Sequence, residues 1–279
     1  MWTWPGQRVV VTGAAGFVGG RLSTRLTDLG ALCLPWSRRE VDLLDREKTL
    51  ARMGREEPTL VVHLAASLKG RSHPGWVPPD NLTAALHVLE AAAGVRVLHV
   101  GTLDEYGDGA TPFDETQAAR PLTLYAAGKA AAGLYVAQAG GVHVRLALVY
   151  GPGQDERFFI PQLLGALRRR EPFDMTAGDQ VRDFIYIDDV VEGLVRLLAS
   201  EVWGRTVNLC SGQGRSLKEV VGEAQNVAGA CGLVNLGKLP YRPREVFCTV
   251  GSNARLAALT GWRPATSLET GLRRAWDDG

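Results

Sequence analysis

The stretch Val9–Gly19, which reads VVVTGAAGFVG, decides the fold. It begins with β-branched apolar residues, the pattern of a strand that is buried on both faces. Glycines follow at positions 13, 16 and 19, and apolar residues then recur at helical spacing from Phe17 to Leu29. The stretch therefore predicts a strand, a tight glycine turn and a helix in direct succession.

This strand, turn and helix predict a binding site for a dinucleotide. Gly13 permits the turn, Gly16 lets the backbone approach a diphosphate, and Gly19 lets the helix pack on the strand. The diphosphate then lies where Phe17 and Val18 begin the helix, because free N–H groups and the helix dipole favour an anion there. Glycine spacing alone is weak evidence, and the position between a strand and a helix makes it specific.

The composition excludes several classes of function. The 279 residues carry a net charge of +1, which gives no field that favours nucleic acid or an anionic membrane. We see no secretory signal, and no apolar run approaches the roughly 18 residues of a membrane span. The four cysteines are widely separated, so we expect a cytoplasmic protein with reduced thiols and without a metal site.

The residues after the second predicted strand bear on the choice of cofactor. Ala31–Leu34 has the pattern of a strand, Pro35 and Trp36 are expected to end it, and Arg38 and Arg39 follow. An acidic residue here would bind the 2′-hydroxyl of NAD, whereas an arginine accommodates the 2′-phosphate of NADP. We therefore expect NADP(H), bound through Arg38. If the arginines only form a solvated basic turn, NAD(H) is the alternative.

A second motif predicts the chemistry. Tyr125 and Lys129 are four residues apart, so they lie on one face of a helix. A tyrosine has a pKa of about 10, and an ammonium group one turn away favours its phenolate. Thr102 follows the predicted strand Val95–Val100, at the sheet edge where ligands bind. Thr102, Tyr125 and Lys129 are therefore the candidate catalytic residues.

These motifs resemble the extended branch of the short-chain dehydrogenase/reductase family, which has a Ser/Thr-Tyr-Lys triad. The stretch Val181–Val190 resembles the Arg-Asp-Phe-x-x-Val-Asp-Asp-Val segment of members that act on nucleotide sugars. The resemblance spans nearly the whole chain. It implies an α/β fold: a Rossmann-type doubly wound parallel sheet with a smaller C-terminal substrate-binding lobe. Residues 1–153 would mainly bind NAD(P) and residues 154–279 mainly the substrate, with some strands and helices returning to the Rossmann domain.

The resemblance also implies roles for single residues. Tyr125 and Lys129 would contact the cofactor as well as the substrate. The further cofactor contacts that it implies are Asp42 and Leu43 beside the adenine and Leu64, Ala65 and Ala66 along the ribose and diphosphate. The substrate contacts are Leu103, Asp104, Arg182 and Arg242, of which the two arginines would hold a diphosphate. Asp188 is expected to cap a helix, and residues 68–79 to form a loop. Leu148 stands where the family has Asn, which removes one expected substrate contact.

The reaction implied is hydride transfer at C4 of a hexose in a nucleotide sugar. The pattern Thr102-x-x-Glu105-Tyr106-Gly107 resembles reductases of 4-keto-6-deoxyhexose nucleotides, which we favour. A 4-epimerase similar to UDP-glucose 4-epimerase, with bound NAD, is the alternative. A 4,6-dehydratase ranks lower because Leu103 displaces the acids that usually follow the catalytic Thr. A non-catalytic NADP-binding regulator would usually lack the Tyr or the Lys.

The resemblance further implies a homodimer. Members of the extended branch often pair through the helix that carries the tyrosine and the helix that corresponds to residues 82–93. Alanines on the surface of the Tyr125 helix would permit close packing of two such helix pairs. We therefore expect a homodimer whose interface is a bundle of four helices.

Overall fold

The computed structural model describes residues 2–67 and 80–279. The loop expected at residues 68–79 lies outside the described residues. In chain order the strands are β1 (Arg8–Thr12), β2 (Leu32–Trp36), β3 (Leu60–His63), β4 (Arg96–Val100), β5 (Val142–Leu146), β6 (Leu148–Tyr150), β7 (Phe173–Asp174), β8 (Val181–Tyr186), β9 (Arg205–Leu209), β10 (Gly214–Ser216), β11 (Val234–Asn235) and β12 (Cys248–Thr249). The helices are α1 (Phe17–Asp28), α2 (Arg46–Glu56), α3 (Asp80–Ala91), α4 (Leu124–Gln138), α5 (Phe159–Arg169), α6 (Ile187–Leu198), α7 (Leu217–Ala228), α8 (Ala254–Thr260) and α9 (Leu268–Asp277), with a 3-10 helix at Leu103–Tyr106.

The larger sheet is parallel and has the strand order β2-β1-β3-β4-β5-β9. The chain moves from β1 to the edge strand β2 and then returns to β3 on the other side of β1. Ligands bind in open α/β sheets at such a reversal, outside the carboxyl ends of the strands. The predicted doubly wound Rossmann fold is thus confirmed.

Helices cover both faces of this sheet. Successive side chains of a strand point to opposite faces, and Val9 and Val11 pack in one apolar core with Leu22 and Leu26 of α1. Val10 packs on the other face, in a second core with residues of α2 and α3 such as Met53 and Val88. Burial on both faces explains why β1 is apolar without interruption.

The C-terminal part of the chain forms a second, smaller layer of strands. β8 is its centre and pairs with β6, β10 and β12, while β7 pairs with β11. β9 leaves this region and extends the larger sheet beside β5. Helices α5, α6, α7 and α9 surround the smaller sheet, and α6 also packs on α1. None of the helices in the described ranges is long and apolar enough to cross a membrane.

The end of β2 differs from the sequence prediction. Pro35 does not end β2, which continues to Trp36 because an edge strand tolerates a residue without an N–H. Between β5 and β6 the chain leaves β9 at Ala147, and β6 then pairs with β8.

The carboxylates at the starts of α2 and α6 differ in their role. Asp45 accepts the N–H of Lys48 at 3.1 Å at the start of α2. Asp188 was expected to cap α6, and this was wrong: the cap position is Tyr186, and Asp188 lies in the first turn with its carboxylate 3.8 Å from Arg274. Asp189 is the structural carboxylate of this turn instead, because it accepts two backbone N–H groups of the segment before α9 at 3.0 Å each.

Candidate active site

A cleft of about 1880 Å³ opens at the carboxyl ends of β1, β3 and β4, where the strand order reverses. One side of the cleft is lined by the glycine turn, by the residues that follow β3 and β4, and by α4. The other side is lined by the region that follows β6. The residues that the sequence predicted for the site and that line this cleft are Gly13, Gly16, Phe17, Val18, Gly19, Arg38, Asp42, Leu43, Leu64, Ala65, Ala66, Thr102, Asp104, Tyr125 and Lys129.

The glycine turn fits a diphosphate. Gly13 has φ +72°, and a Cβ there would lie 2.8 Å from the backbone nitrogen of Ala65. A Cβ at Gly19 would collide with the carbonyl of Gly13. Gly16, the residue before α1, has no side chain that could cap the helix, and the first turn of α1 has no acidic residue. The first N–H groups of the helix therefore remain for an anionic ligand in the cleft.

The far end of this half of the cleft fits an adenosine. Gly13 donates its N–H to the carbonyl of Trp36 at 2.9 Å, which brings the end of β2 beside the glycine turn. Ser37 and Arg38 follow and line the cleft, whereas Arg39 does not. The acidic Glu40 turns back and accepts the N–H of Ser37 at 2.8 Å. Arg38 is thus the arginine of the pair that faces the cleft.

The hydroxyl of Thr102 is held at the end of β4. Thr102 caps the 3-10 helix, and its Oγ1 accepts the N–H of Asp104 at 3.2 Å. The O–H of Thr102 faces the carboxylate of Asp104 in the wall of the cleft, and this hydrogen bond opposes the rise in the pKa of Asp104. Tyr125 lies across the cleft in the first turn of α4, which Thr123 caps by accepting the N–H of Ala126 at 3.1 Å.

Lys129 lies one turn after Tyr125 and is 2% exposed. Its ammonium group donates to the carbonyl of Val100 at 2.8 Å. Burial lowers the pKa of Lys129 to about 8, against the opposing effect of the Glu105 carboxylate. The lysine thus changes its charge close to physiological pH.

The expected lowering of the tyrosine pKa is wrong for this structure. Burial raises the pKa of Tyr125 to about 12, and the carboxylates of Asp104 and Glu105 add to the rise. Lys129 does not offset these effects. Tyr125 is therefore a neutral phenol at physiological pH, which suits it to donate a proton.

Of the four predicted substrate contacts, only Asp104 lines the cleft. Asp104 lines the cleft, and desolvation by the cleft walls raises its pKa. Leu103 is 2% exposed and belongs to the apolar core, so its side chain is not a substrate contact as predicted. The reason is local, since the 3-10 helix turns Leu103 inward and Asp104 toward the cleft.

The two arginines do not line the cleft. Arg182 donates to Glu245 at 2.8 Å, and its positive charge opposes the rise in the pKa of Asp104. Arg242 is exposed, and its carbonyl accepts the N–H of Glu245 in a turn. Both arginines therefore lie outside the cleft. Glu245 neutralises the charge of Arg182, which is the arginine that acts on Asp104.

Several residues that sequence reasoning did not select also line the cleft. Leu148 and Phe158 are large apolar side chains that stay exposed there. Gln154, Asp155 and Arg157 stand between them in the chain and line the same wall. The departure at Leu148 from the family pattern could have indicated that this wall of the cleft is apolar. Nothing in the sequence indicated that Phe158 lines the cleft, because it precedes α5 within an apolar run that resembles a core segment.

The comparisons with known proteins agree with this geometry. A model of the NAD dependent epimerase/dehydratase family matches residues 9–210. GDP-6-deoxy-D-mannose reductase of Pseudomonas aeruginosa is 30% identical, over 98% of this chain and 97% of its own length. The structure of RMD from Pseudomonas aeruginosa complexed with NADPH has a TM-score of 0.86 at 27% identity and covers 98% of each chain. UDP-glucose 4-epimerase of Thermus thermophilus, in complex with NAD, has a TM-score of 0.87 at 28% identity, over 97% of this chain and 98% of that chain.

Proposed function

This chain belongs to the NAD-dependent epimerase/dehydratase family, and from this premise we propose that it reduces the 4-keto group of a 6-deoxyhexose nucleotide with NADPH. The observation that carries the proposal is Arg38, which lines the adenosine end of the cleft while Glu40 turns away. An arginine here accommodates a 2′-phosphate, and a reductase consumes NADPH. The 30% identity to GDP-6-deoxy-D-mannose reductase along nearly the whole chain supports the same activity.

The roles of the residues follow from the cleft. When bound along the glycine turn and Arg38, a nicotinamide cofactor would supply the hydride that reduces C4 of the sugar. Tyr125, a neutral phenol, donates its proton to the oxygen on C4 as that oxygen gains negative charge. The hydroxyl of Thr102, which lines the cleft, would hold the same oxygen. Lys129, one helical turn after Tyr125, would hold the bound cofactor and supply a positive charge in the cleft while its ammonium group is protonated.

The test begins with the nucleotides that the purified protein carries. They are released by denaturation and identified by mass spectrometry. NADPH oxidation is then followed with 4-keto-6-deoxyhexoses linked to GDP, dTDP, CDP or UDP, the GDP-linked compound first. We expect an empty protein that oxidises NADPH with one of these compounds and forms one equivalent of its 6-deoxyhexose product.

A nucleotide-sugar 4-epimerase is the second candidate. It is supported by the likeness to the Thermus thermophilus epimerase and by the same set of Thr102, Tyr125 and Lys129, which serves either reaction. Stoichiometric NAD released from the protein, together with conversion of UDP-glucose to its 4-epimer, would establish this activity and overturn the reductase.

We further propose that residues 1–153 mainly hold the cofactor and residues 154–279 the substrate, in a cytoplasmic homodimer. The four free cysteines fit a reducing compartment. α3 and α4 pack side by side, and α4 exposes Leu134 and Tyr135. Exposed large apolar side chains on a helix pair are typical of a surface that is buried in an oligomer.

A further inference from the structure

A buried carboxylate lies directly beneath Thr102. Glu105 belongs to the 3-10 helix that Thr102 caps, and it is 0% exposed. Moving an ionised carboxylate out of water costs several kcal/mol, so such a group persists only where other groups compensate its charge. The contacts of Glu105 therefore indicate what the carboxylate does.

Both carboxylate oxygens of Glu105 are engaged. Oε1 accepts the backbone N–H of Thr102 at 3.0 Å. Oε2 accepts from Nε2 of His143 at 2.9 Å and from Nε of Arg145 at 3.0 Å. His143 and Arg145 are two residues apart on β5, so their side chains leave the same face of the sheet. Glu105 thus ties the end of β4, and with it Thr102, to the next strand.

Two glycines make room for this arrangement. A Cβ at Gly101 would collide with Oε1 of Glu105, and a Cβ at Gly133 would collide with the ring of His143. Gly133 lies inside α4, where glycine costs about 1 kcal/mol relative to alanine. Gly133 therefore lowers the stability of α4 at a position where any side chain would displace His143.

Two buried histidines continue the network behind the carboxylate. Nε2 of His143 lies 2.9 Å from Oε2 of Glu105, and Nδ1 of the same ring lies 3.0 Å from Nδ1 of His99. Burial holds the pKa of His99 far below the ordinary value. The titratable and charged groups around Glu105 are Asp104 on its own helix, His99 on β4, Tyr125 and Lys129 on α4, and His143 and Arg145 on β5.

We propose that Glu105 is a positioning residue: it holds Thr102 in the orientation that serves the substrate oxygen and keeps a fixed negative charge beside Tyr125 and Lys129. This inference rests on the proposed function, since it requires Thr102 to act on a substrate oxygen. The charge has a separate signature, because the Glu105 carboxylate raises the pKa values of both Tyr125 and Lys129.

Glu105→Gln is the variant that removes the charge and keeps the shape. The matched control is Glu115→Gln, because Glu115 is also a buried carboxylate, paired with Arg255 and with the N–H of Asn208, and it does not line the cleft. For Glu105→Gln we expect kcat to fall by about 10- to 100-fold, the loss typical of a misplaced catalytic group, with little change in KM. Glu115→Gln is expected to lose stability but to keep kcat.

The charge is measured without any substrate. The sequence has five lysines, so NMR of protein that carries ¹³C-labelled lysine resolves each of them, and Lys129→Arg assigns the signal of Lys129. We expect Lys129 to titrate at a lower pH in Glu105→Gln than in the wild type, and at the wild-type pH in Glu115→Gln. A merely structural role of Glu105 predicts equal titration in both variants, and that result would overturn the proposal.

Glu105→Asp keeps the inference testable if Glu105→Gln does not fold. It retains the charge but is one methylene shorter, so we expect wild-type titration of Lys129 and a reduced kcat. Wild-type kcat in Glu105→Asp would overturn the positioning role. If no nucleotide sugar is turned over at all, the proposed function fails, while the titration of Lys129 still decides whether Glu105 acts through its charge.

Discussion

At the scale of single residues, the proposed reaction depends most directly on the phenol of Tyr125. Tyr125→Phe removes the proposed proton donor and leaves the ring, so we expect kcat to fall between about 10²- and 10⁴-fold while NADPH binds as before. Steady-state kinetics and fluorescence titration with NADPH measure the two effects. Tyr135→Phe on the exposed side of the same helix is the control and should keep full activity. Unchanged turnover in Tyr125→Phe would contradict the assigned role.

We expect the choice between NADPH and NADH to depend on Arg38. Arg38→Ala removes the guanidinium that lines the cleft, and a hydrogen bond to a charged group contributes about 1.5–3 kcal/mol. We expect the Kd for NADPH to rise about 10- to 100-fold and the Kd for NADH to stay the same. Arg39→Ala provides the matched control, since Arg39 does not line the cleft. Equal effects of the two substitutions on NADPH would show that only the general positive charge matters.

We expect Lys129 to set the pH dependence of the proposed reaction. Its pKa is lowered to about 8, so the ammonium is present below that pH and is lost above it. We expect kcat/KM for ketone reduction to be flat below about pH 8 and to decline at higher pH. Lys129→Arg keeps its charge at every accessible pH, so any activity that remains should lack this decline. The same decline in both proteins would assign the titration to another group.

At the scale of elements, the turn after Tyr241 stores strain. Arg244 has φ +60°, in the left-handed region that favours glycine. The left-handed conformation costs a residue other than glycine roughly 1–2 kcal/mol. Replacing Arg244 by glycine removes this cost, but glycine also gives the unfolded chain more conformational entropy, which offsets part of the gain in stability. We expect Arg244→Gly to raise the free energy of unfolding by about 0.5–1 kcal/mol in urea denaturation.

Arg244→Ala separates this backbone effect from the loss of the arginine side chain. Alanine keeps the Cβ and therefore the strain, so its stability should match that of the wild type. Equal gains in Arg244→Gly and Arg244→Ala would mean that the charge, and not the backbone, destabilises the turn. The ion pair between Arg182 and Glu245 lies at the end of this turn and should persist in both variants.

At the scale of the whole molecule, the sequence predicted what short segments specify. The hydrophobic periodicity and the glycine turn predict the strands of the larger sheet. Each residue that the sequence assigned to the cofactor lines the cleft. The errors concern contacts between distant parts of the chain. Arg182 meets Glu245 from 63 residues away, and no local pattern records that pairing. The pKa of Tyr125 likewise depends on burial that only the assembled fold creates.

The assembly of the molecule yields the last prediction. Leu134 is 63% exposed on α4, beside α3, and transferring such a side chain out of water contributes about 1.5–3 kcal/mol. We expect the wild type to be a dimer in size-exclusion chromatography with light scattering, and Leu134→Glu to be a monomer, because a charge on each side of an isologous contact is repelled by its symmetry mate. Leu236→Glu, at a leucine that is 51% exposed directly after β11, should remain a dimer. A wild type that stays monomeric at every concentration would leave α4 a free surface, and the exposed apolar side chains on that helix would then need another partner.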